Sequence, residues 1–137
     1  MDKEEKTTKT LQEVLAGIPH RLLGGREDLP LAGLSFDSRA VVPSGAFVAI
    51  EGTAADGHDY IDQAIRAGAC AVVLRKTPGE LHPGVSYVQV EDTSRALALM
   101  ARAFYDNPTS RIALVGVTGT NGKTTTATLL YQVFRSM

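Results

Sequence analysis

The run GVTGTNGKTTTA, Gly116 to Ala127, combines residue types and spacing that could do chemistry. Apolar residues Ile112 to Val117 lead into it, and a helix over Lys123–Arg135 is expected to follow. Glycines at 116, 119 and 122 let the backbone curl so that several N–H groups face one point, as a phosphate requires. The helix N-terminus adds partial positive charge there. Lys123 is spaced to reach β and γ phosphates, and the Thr124 hydroxyl suits a Mg²⁺ held between them. The strict phosphate-loop pattern has Gly where this chain has Val117. The bland alternative is a structural turn. Against it stands Gly-Lys-Thr at the strand-to-helix junction that the motif needs.

Only fourteen residues follow Lys123 in this 137-residue chain. One strand, one loop and one helix cannot bury a core, so the elements upstream matter. Leu11, Val14 and Leu15 predict a short helix over Thr10–Ala16, stopped by Gly17 and Pro19. Strands are expected near Ala32–Phe36 and Ala46–Ile50, with EGTAADGHD as a turn-rich loop after the second. Tyr60, Ile61, Ala64 and Ile65 share a helical face that ends at Gly68. ACAVVL, Ala69 to Leu74, predicts a buried strand, and VSYVQV another. A helix then starts at Asp92 or Thr93, turns Leu97, Met100, Ala101 and Phe104 inward, and stops before Pro108.

Strand and helix alternate, which predicts an α/β fold with a largely parallel sheet. The expected division is a domain over 1–106 with a flexible arm at 1–10, a linker at 107–110, and the first strand–loop–helix unit of a second domain at 111–137. The chain is therefore expected to be the front part of a longer protein.

Fourteen basic and fifteen acidic residues give a net charge of −1, which offers no electrostatic footprint for nucleic acid or an anionic membrane. The charged start MDKEEKTTKT has no apolar stretch, and no later run reaches the roughly 18 apolar residues of a spanning helix. A cytoplasmic monomer is the expectation. The single cysteine, Cys70, lies in an apolar run and reads as a buried, inert thiol.

TGTNGKTT, Thr118 to Thr125, resembles the ATP loop of the Mur ligase superfamily, which departs from the strict pattern in the same way. Upstream, DSRAVVPSGAFVAIEGTAADGHDYIDQAIRAGACAVV, Asp37 to Val73, is similar to the N-terminal domain shared by MurE-type and MurF-type members. RALALMARAFYDNPTSRIALVGVTGTNGKTTTA looks more like the MurE type. The resemblance covers about residues 30 to 137. It implies a small substrate-binding domain followed by the start of a phosphate-loop ATPase domain. It also implies an ATP- and Mg²⁺-dependent ligase that adds a third residue, diaminopimelate or lysine, to UDP-N-acetylmuramoyl-L-alanyl-D-glutamate through an acyl phosphate.

The resemblance further implies that Phe36 and Ser38 lie at the uracil end of the substrate and that Thr53, Ala54 and Ala55 line the nucleotide-sugar site. It gives ATP to Gly119, Thr120, Asn121, Gly122, Lys123, Thr124 and Thr125, with Lys123 stabilising charge and Thr124 facing the metal. From the residues alone, FDSR is a strand end with an Asx-type turn, and 53–55 are a surface loop. Arg39 either faces a diphosphate or braces its own loop. His58 has no Ser or Cys partner at a telling distance and reads as structural, while Asp56 and Asp59 read as turn and helix-start residues. Arg66, Arg75, Lys76 and Arg95 are scattered, as on a solvated surface. The rival readings are a MurF-type ligase adding D-Ala-D-Ala, a phosphate-loop kinase or NTPase, and a non-catalytic nucleotide-sugar binding module.

Overall fold

The computed structural model describes residues 8–105. Internal contacts divide the chain into two units, Met1–Asn107 and Pro108–Met137, and every described residue belongs to the first.

Seven strands and three α-helices are formed by the described residues: β1 (Lys9–Thr10), α1 (Leu11–Leu15), β2 (Arg21–Gly24), β3 (Pro30–Leu31), β4 (Leu34–Ser35), β5 (Ala46–Val48), α2 (Ile61–Arg66), β6 (Ala71–Leu74), β7 (Ser86–Gln89) and α3 (Thr93–Phe104). A 3₁₀ turn, Gly57–Tyr60, leads into α2. β1 and β3 form a small antiparallel pair. The main sheet runs β2-β7-β6-β5-β4, with β4 to β7 mutually parallel and β2 antiparallel at the edge.

Period-two alternation splits the core into two layers. Ala46, Val48, Ala71, Val73 and Val88 turn to one face and meet Leu11, Val14 and Leu15 of α1 and Ala96 and Met100 of α3. Phe47, Val72, Leu74 and Tyr87 turn to the other face and meet Ile61 and Ala64 of α2. The register pairs like with like, Phe47 opposite Val72 and Val72 opposite Tyr87, so each face stays apolar across three strands.

Caps fix the helix starts. Thr10 and Glu13 close a reciprocal capping box on α1, and the Asp92 carboxylate accepts the Arg95 N–H at 3.0 Å to start α3. Gly68 ends the α2 segment at φ +110, where a side chain would also press on Pro43 at 2.8 Å.

Several expected bounds contract. The strand expected at Ala32–Phe36 pairs only over Leu34–Ser35, and that at Ala46–Ile50 only to Val48. In α3, Met100 is buried as expected, while Leu97, Ala101 and Phe104 are half-buried and the small Ala96 takes the tightest position. Tyr60, assigned to the buried helical face, sits one residue before α2 and is 43% exposed. Cys70 is half-buried rather than enclosed, and its thiol donates to the Ser44 carbonyl at 3.2 Å. Burial pushes that thiol's pKa up, which disfavours the nucleophilic thiolate.

Candidate functional site

A cleft of about 550 Å³ opens where the chain leaves β4 and β5. Both strands are parallel, so this is the carboxyl end of the sheet, where α/β folds bind ligands. Its walls include Phe36, Ser38 and Arg39 from one turn, Phe47 and Ile50 from β5 and its exit, Gly52 and Ala55 from the next loop, and Tyr60 and Gln63 from the approach to α2.

The first wall is a self-bonded turn. Ser35 Oγ donates to the Asp37 carbonyl at 2.9 Å and accepts the Asp37 N–H at 3.1 Å. Asp37 Oδ1 accepts the Arg39 N–H at 2.9 Å, which makes the Asx turn expected from FDSR. The Arg39 guanidinium then returns to the same carboxylate through Nε at 3.1 Å and Nη2 at 3.0 Å. Arg39 therefore braces its own loop. Its side-chain hydrogen bonds, with its backbone N–H second, hold the Asp37 carboxyl below the usual range.

That bracing leaves two groups aimed at the cleft. The Phe36 ring is 62% exposed. Ser38 is only 7% exposed, and no described protein group pairs with its hydroxyl. No fully enclosed side-chain oxygen or nitrogen among the described residues lacks a partner, so the Ser38 oxygen must reach open cleft space.

The second wall is the loop from Glu51 to Gly57. Glu51 and Asp56 bridge its base, Gly52 N–H donates to the Ala55 carbonyl at 2.9 Å, and Gly57 N–H donates to the Ile50 carbonyl at 2.7 Å. Gly57 is needed for close approach: a Cβ there would lie 2.6 Å from the Ile50 nitrogen. Of the three loop residues assigned to the site, Ala55 lines the cleft, while Thr53 and Ala54 are exposed and do not.

Behind this loop, Asp56 caps the 3₁₀ turn through the His58 N–H at 3.0 Å and takes the Lys76 ammonium at 2.8 Å. The Lys76 hydrogen bond, ahead of those from His58, drives the Asp56 carboxyl far below the usual range. Arg75 and Lys76 also face Glu51 at 3.6 and 3.9 Å. Both side chains stand on the solvated surface, as expected, and from there they pair with the cleft loop.

The arrangement suits binding. Two exposed rings, Phe36 and Tyr60, line the same cleft as the Ser38 hydroxyl, residue types that hold a planar base by stacking and read its edge by hydrogen bonding. No group of three His, Cys, Asp or Glu that could hold a metal occurs among the described residues. Tyr60 and Gln63 were not foreseen as wall residues; the only signal was their place just after the small-residue loop. Gly119 to Thr125, with Lys123 and Thr124, lie outside the described residues.

The sequence model described as "Mur ligase family, catalytic domain" matches residues 30–105, which contain both walls of the cleft. A UDP-N-acetylmuramoyl-L-alanyl-D-glutamate–2,6-diaminopimelate ligase of Bacteroides fragilis is 47% identical over 91% of this chain and 26% of its own length. A ligase of the same name from Oceanobacillus iheyensis is 49% identical over 81% of this chain and 22% of its own. The chain thus spans about a quarter of the length of the curated relatives it matches. Among solved structures, the MurF ligase of Thermotoga maritima in complex with ADP is similar at 35% identity and a TM-score of 0.54, over 75% of this chain and 23% of that one. A UDP-N-acetylmuramoylalanyl-D-glutamyl-2,6-diaminopimelate–D-alanyl-D-alanyl ligase of Acinetobacter baumannii shares the fold at 20% identity and a TM-score of 0.65, over 87% of this chain and 26% of that one. With more than half of its residues matched by the family's sequence model, the chain belongs to the Mur ligase family.

Proposed function

We propose that the cleft holds the uridine end of a UDP-linked muramoyl dipeptide, in a ligase that adds diaminopimelate to the D-glutamyl carboxylate. The observation that carries the binding role is Ser38, largely buried yet with its hydroxyl open to a cleft that two exposed rings also line. A hydroxyl both donates and accepts, so it can pair with either edge group of a uracil imide. Relatives named for that reaction, at 47% and 49% identity, support the reaction class and favour diaminopimelate over lysine.

The same proposal gives this chain a substrate-binding domain over 1–106, a linker over 107–110 and the start of an ATP-binding domain over 111–137. In the reaction, the glutamyl carboxylate attacks the γ-phosphorus of ATP and ADP leaves. The incoming amine then displaces phosphate from the acyl phosphate. Lys123 would neutralise charge on the transferred phosphoryl group, and the backbone N–H groups of Gly119 to Gly122 would orient it. Mg²⁺, held through Thr124, would supply further charge neutralisation. The location that goes with a nucleotide-linked soluble substrate is the cytoplasm. No described helix is long and apolar enough to cross a membrane.

The test is calorimetric titration of the chain with UDP and, separately, with ATP. UDP is expected to bind, and Ser38→Ala to weaken it by about tenfold, as loss of one buried hydrogen bond predicts. Binding of ATP alone would overturn the proposal in favour of a kinase. The MurF-type reading draws on the Thermotoga maritima structure. Product formation by the full-length protein with diaminopimelate, against D-Ala-D-Ala, decides between them.

A further inference from the structure

Resting on the uridine-cleft reading, we propose that His58 is a positioning residue whose imidazole locks the Glu51–Gly57 loop, and Tyr60 beyond it, into the shape that accepts the nucleotide. The ring is almost enclosed, with its side chain 9% exposed. Nε2 faces two backbone donors, the N–H of Arg75 at 3.0 Å and of Lys76 at 3.2 Å. A nitrogen facing two N–H donors must be an acceptor, so the ring hydrogen sits on Nδ1. Nδ1 donates to Asp56 Oδ1 at 2.7 Å.

The consequence is mechanical. Arg75 and Lys76 follow directly on β6, whose last residue is Leu74. One imidazole therefore joins the rigid centre of the sheet to the loop that ends at Asp56. It also pairs with two N–H groups at the strand's exit, which would otherwise need water. Asp56 completes the clip by taking Lys76 on its other oxygen. On the cleft side of this clip stand Ala55, one residue before Asp56, and Tyr60, two residues after His58, and both line the cleft. If the imidazole is lost, the loop keeps its own turn bonds but loses its anchor to the sheet. His58 is not among the residues that line the cleft; it lines a different depression with Asp59, Asp62 and His82. It acts through the loop.

The experiment measures UDP affinity of the full chain by calorimetry, well below each variant's melting temperature. His58→Phe keeps ring volume and removes both hydrogen-bonding nitrogens. It should weaken UDP about tenfold. His58→Gln restores an acceptor near the Nε2 position and should recover most of the affinity. Lys76→Ala removes only the outer link and should cost no more than about threefold. A residue that merely fills space would let His58→Phe bind as the wild type does, and that result overturns the proposal, as does a Gln variant no better than Phe. Should His58→Phe not fold, Asp56→Ala removes the acceptor of the Nδ1 hydrogen and so cuts the same link at its other end, and unchanged affinity there overturns it. If the unaltered chain does not bind UDP, the uridine reading fails first. The anchor is then read by amide exchange: Ala55, Arg75 and Lys76 should exchange faster in His58→Phe than in His58→Gln while Val72 and Val73 stay protected in both, and equal exchange in the two variants overturns it.

Discussion

The two walls of the cleft use the same chemistry at different range. In each, an aspartate accepts the N–H two residues on and pairs with a cation: Asp37 takes the N–H and guanidinium of Arg39, Asp56 the N–H of His58 and the ammonium of Lys76. The first pair closes within three residues and stands exposed, with the Arg39 side chain 81% accessible. The second reaches 20 residues along the chain to Lys76, and beside it an almost enclosed imidazole links Asp56 to the Arg75 and Lys76 N–H groups. A local pair shapes its own turn and little else. A long-range pair fixes where a loop stands relative to the sheet. The first wall can therefore be damaged without moving the second, and the second carries the greater share of the cleft's geometry.

The largest expected effect comes from the second wall's tightest point. Gly57→Ala would set a methyl 2.6 Å from the Ile50 nitrogen and 2.8 Å from its oxygen, both backbone atoms. A cost of ~1–3 kcal/mol follows from forced overpacking. Gly79→Ala, where a Cβ meets nothing within 4 Å, should be neutral. Urea midpoints measure both. Equal midpoints would show that the loop yields freely, and the claimed anchoring to the sheet would be wrong.

Next comes the pair of aspartates. Asp56→Ala removes the cap of the 3₁₀ turn and the partner of His58 Nδ1 and Lys76, so a loss of about 1–2 kcal/mol is expected from the cap alone. Asp37→Ala should lower the midpoint detectably less, because the turn it leaves still has the Ala40 N–H to Asp37 carbonyl bond and the Ser35 bonds. A reversed order in thermal melts breaks the comparison.

This contrast also explains what could be read in the sequence. FDSR announced its turn because every partner lies within four residues. α1 was legible because Leu11, Val14 and Leu15 repeat at helical spacing and are all buried. β2 gave no signal: Arg21 and Leu22 are exposed, Leu23 and Gly24 half-buried, and only pairing with β7 makes it a strand. His58 read correctly as structural, but its acceptor role depends on Arg75 and Lys76, 17 and 18 residues away. Of the five assigned uridine-site positions, the structure brings Phe36, Ser38 and Ala55 to one cleft. The tip residues Thr53 and Ala54 share the sequence signal of Ala55, and only the fold separates them.

Acid titration sharpens the comparison further. The Asp56 and Asp37 carboxyls are both depressed in the folded chain. Each therefore adds stability that is complete above the unfolded value near ~3.9 and is lost as pH falls through the folded value. The Lys76 hydrogen bond is the leading cause at Asp56. Lys76→Ala should thus lower stability at pH 7 and flatten its decline below pH ~4, so the two proteins converge at low pH. Chemical unfolding at pH 7, 4 and 3 follows this. A gap that stays constant with pH would mean that Lys76 acts by packing rather than through the Asp56 carboxylate.

The smallest effect belongs to Arg39. Its guanidinium meets only the carboxylate two residues before it, in a turn that also has backbone and serine bonds. Both side chains stand in water, where Coulomb attraction is weak and salt screens it within about 10 Å. Arg39→Ala should leave the melting temperature unchanged within error at both 50 mM and about 500 mM salt. Its place on the cleft wall gives it one further chance to matter. If a diphosphate passes that rim, the Ala variant should lose affinity for UDP but not for uridine, and the loss should shrink as salt rises. Equal losses for both ligands would mean that Arg39 does more than shape its own turn, and also fixes where the Phe36–Ser38 segment stands against the sheet. The two walls would then share one mode of support, and the distinction between local and long-range bracing would fall.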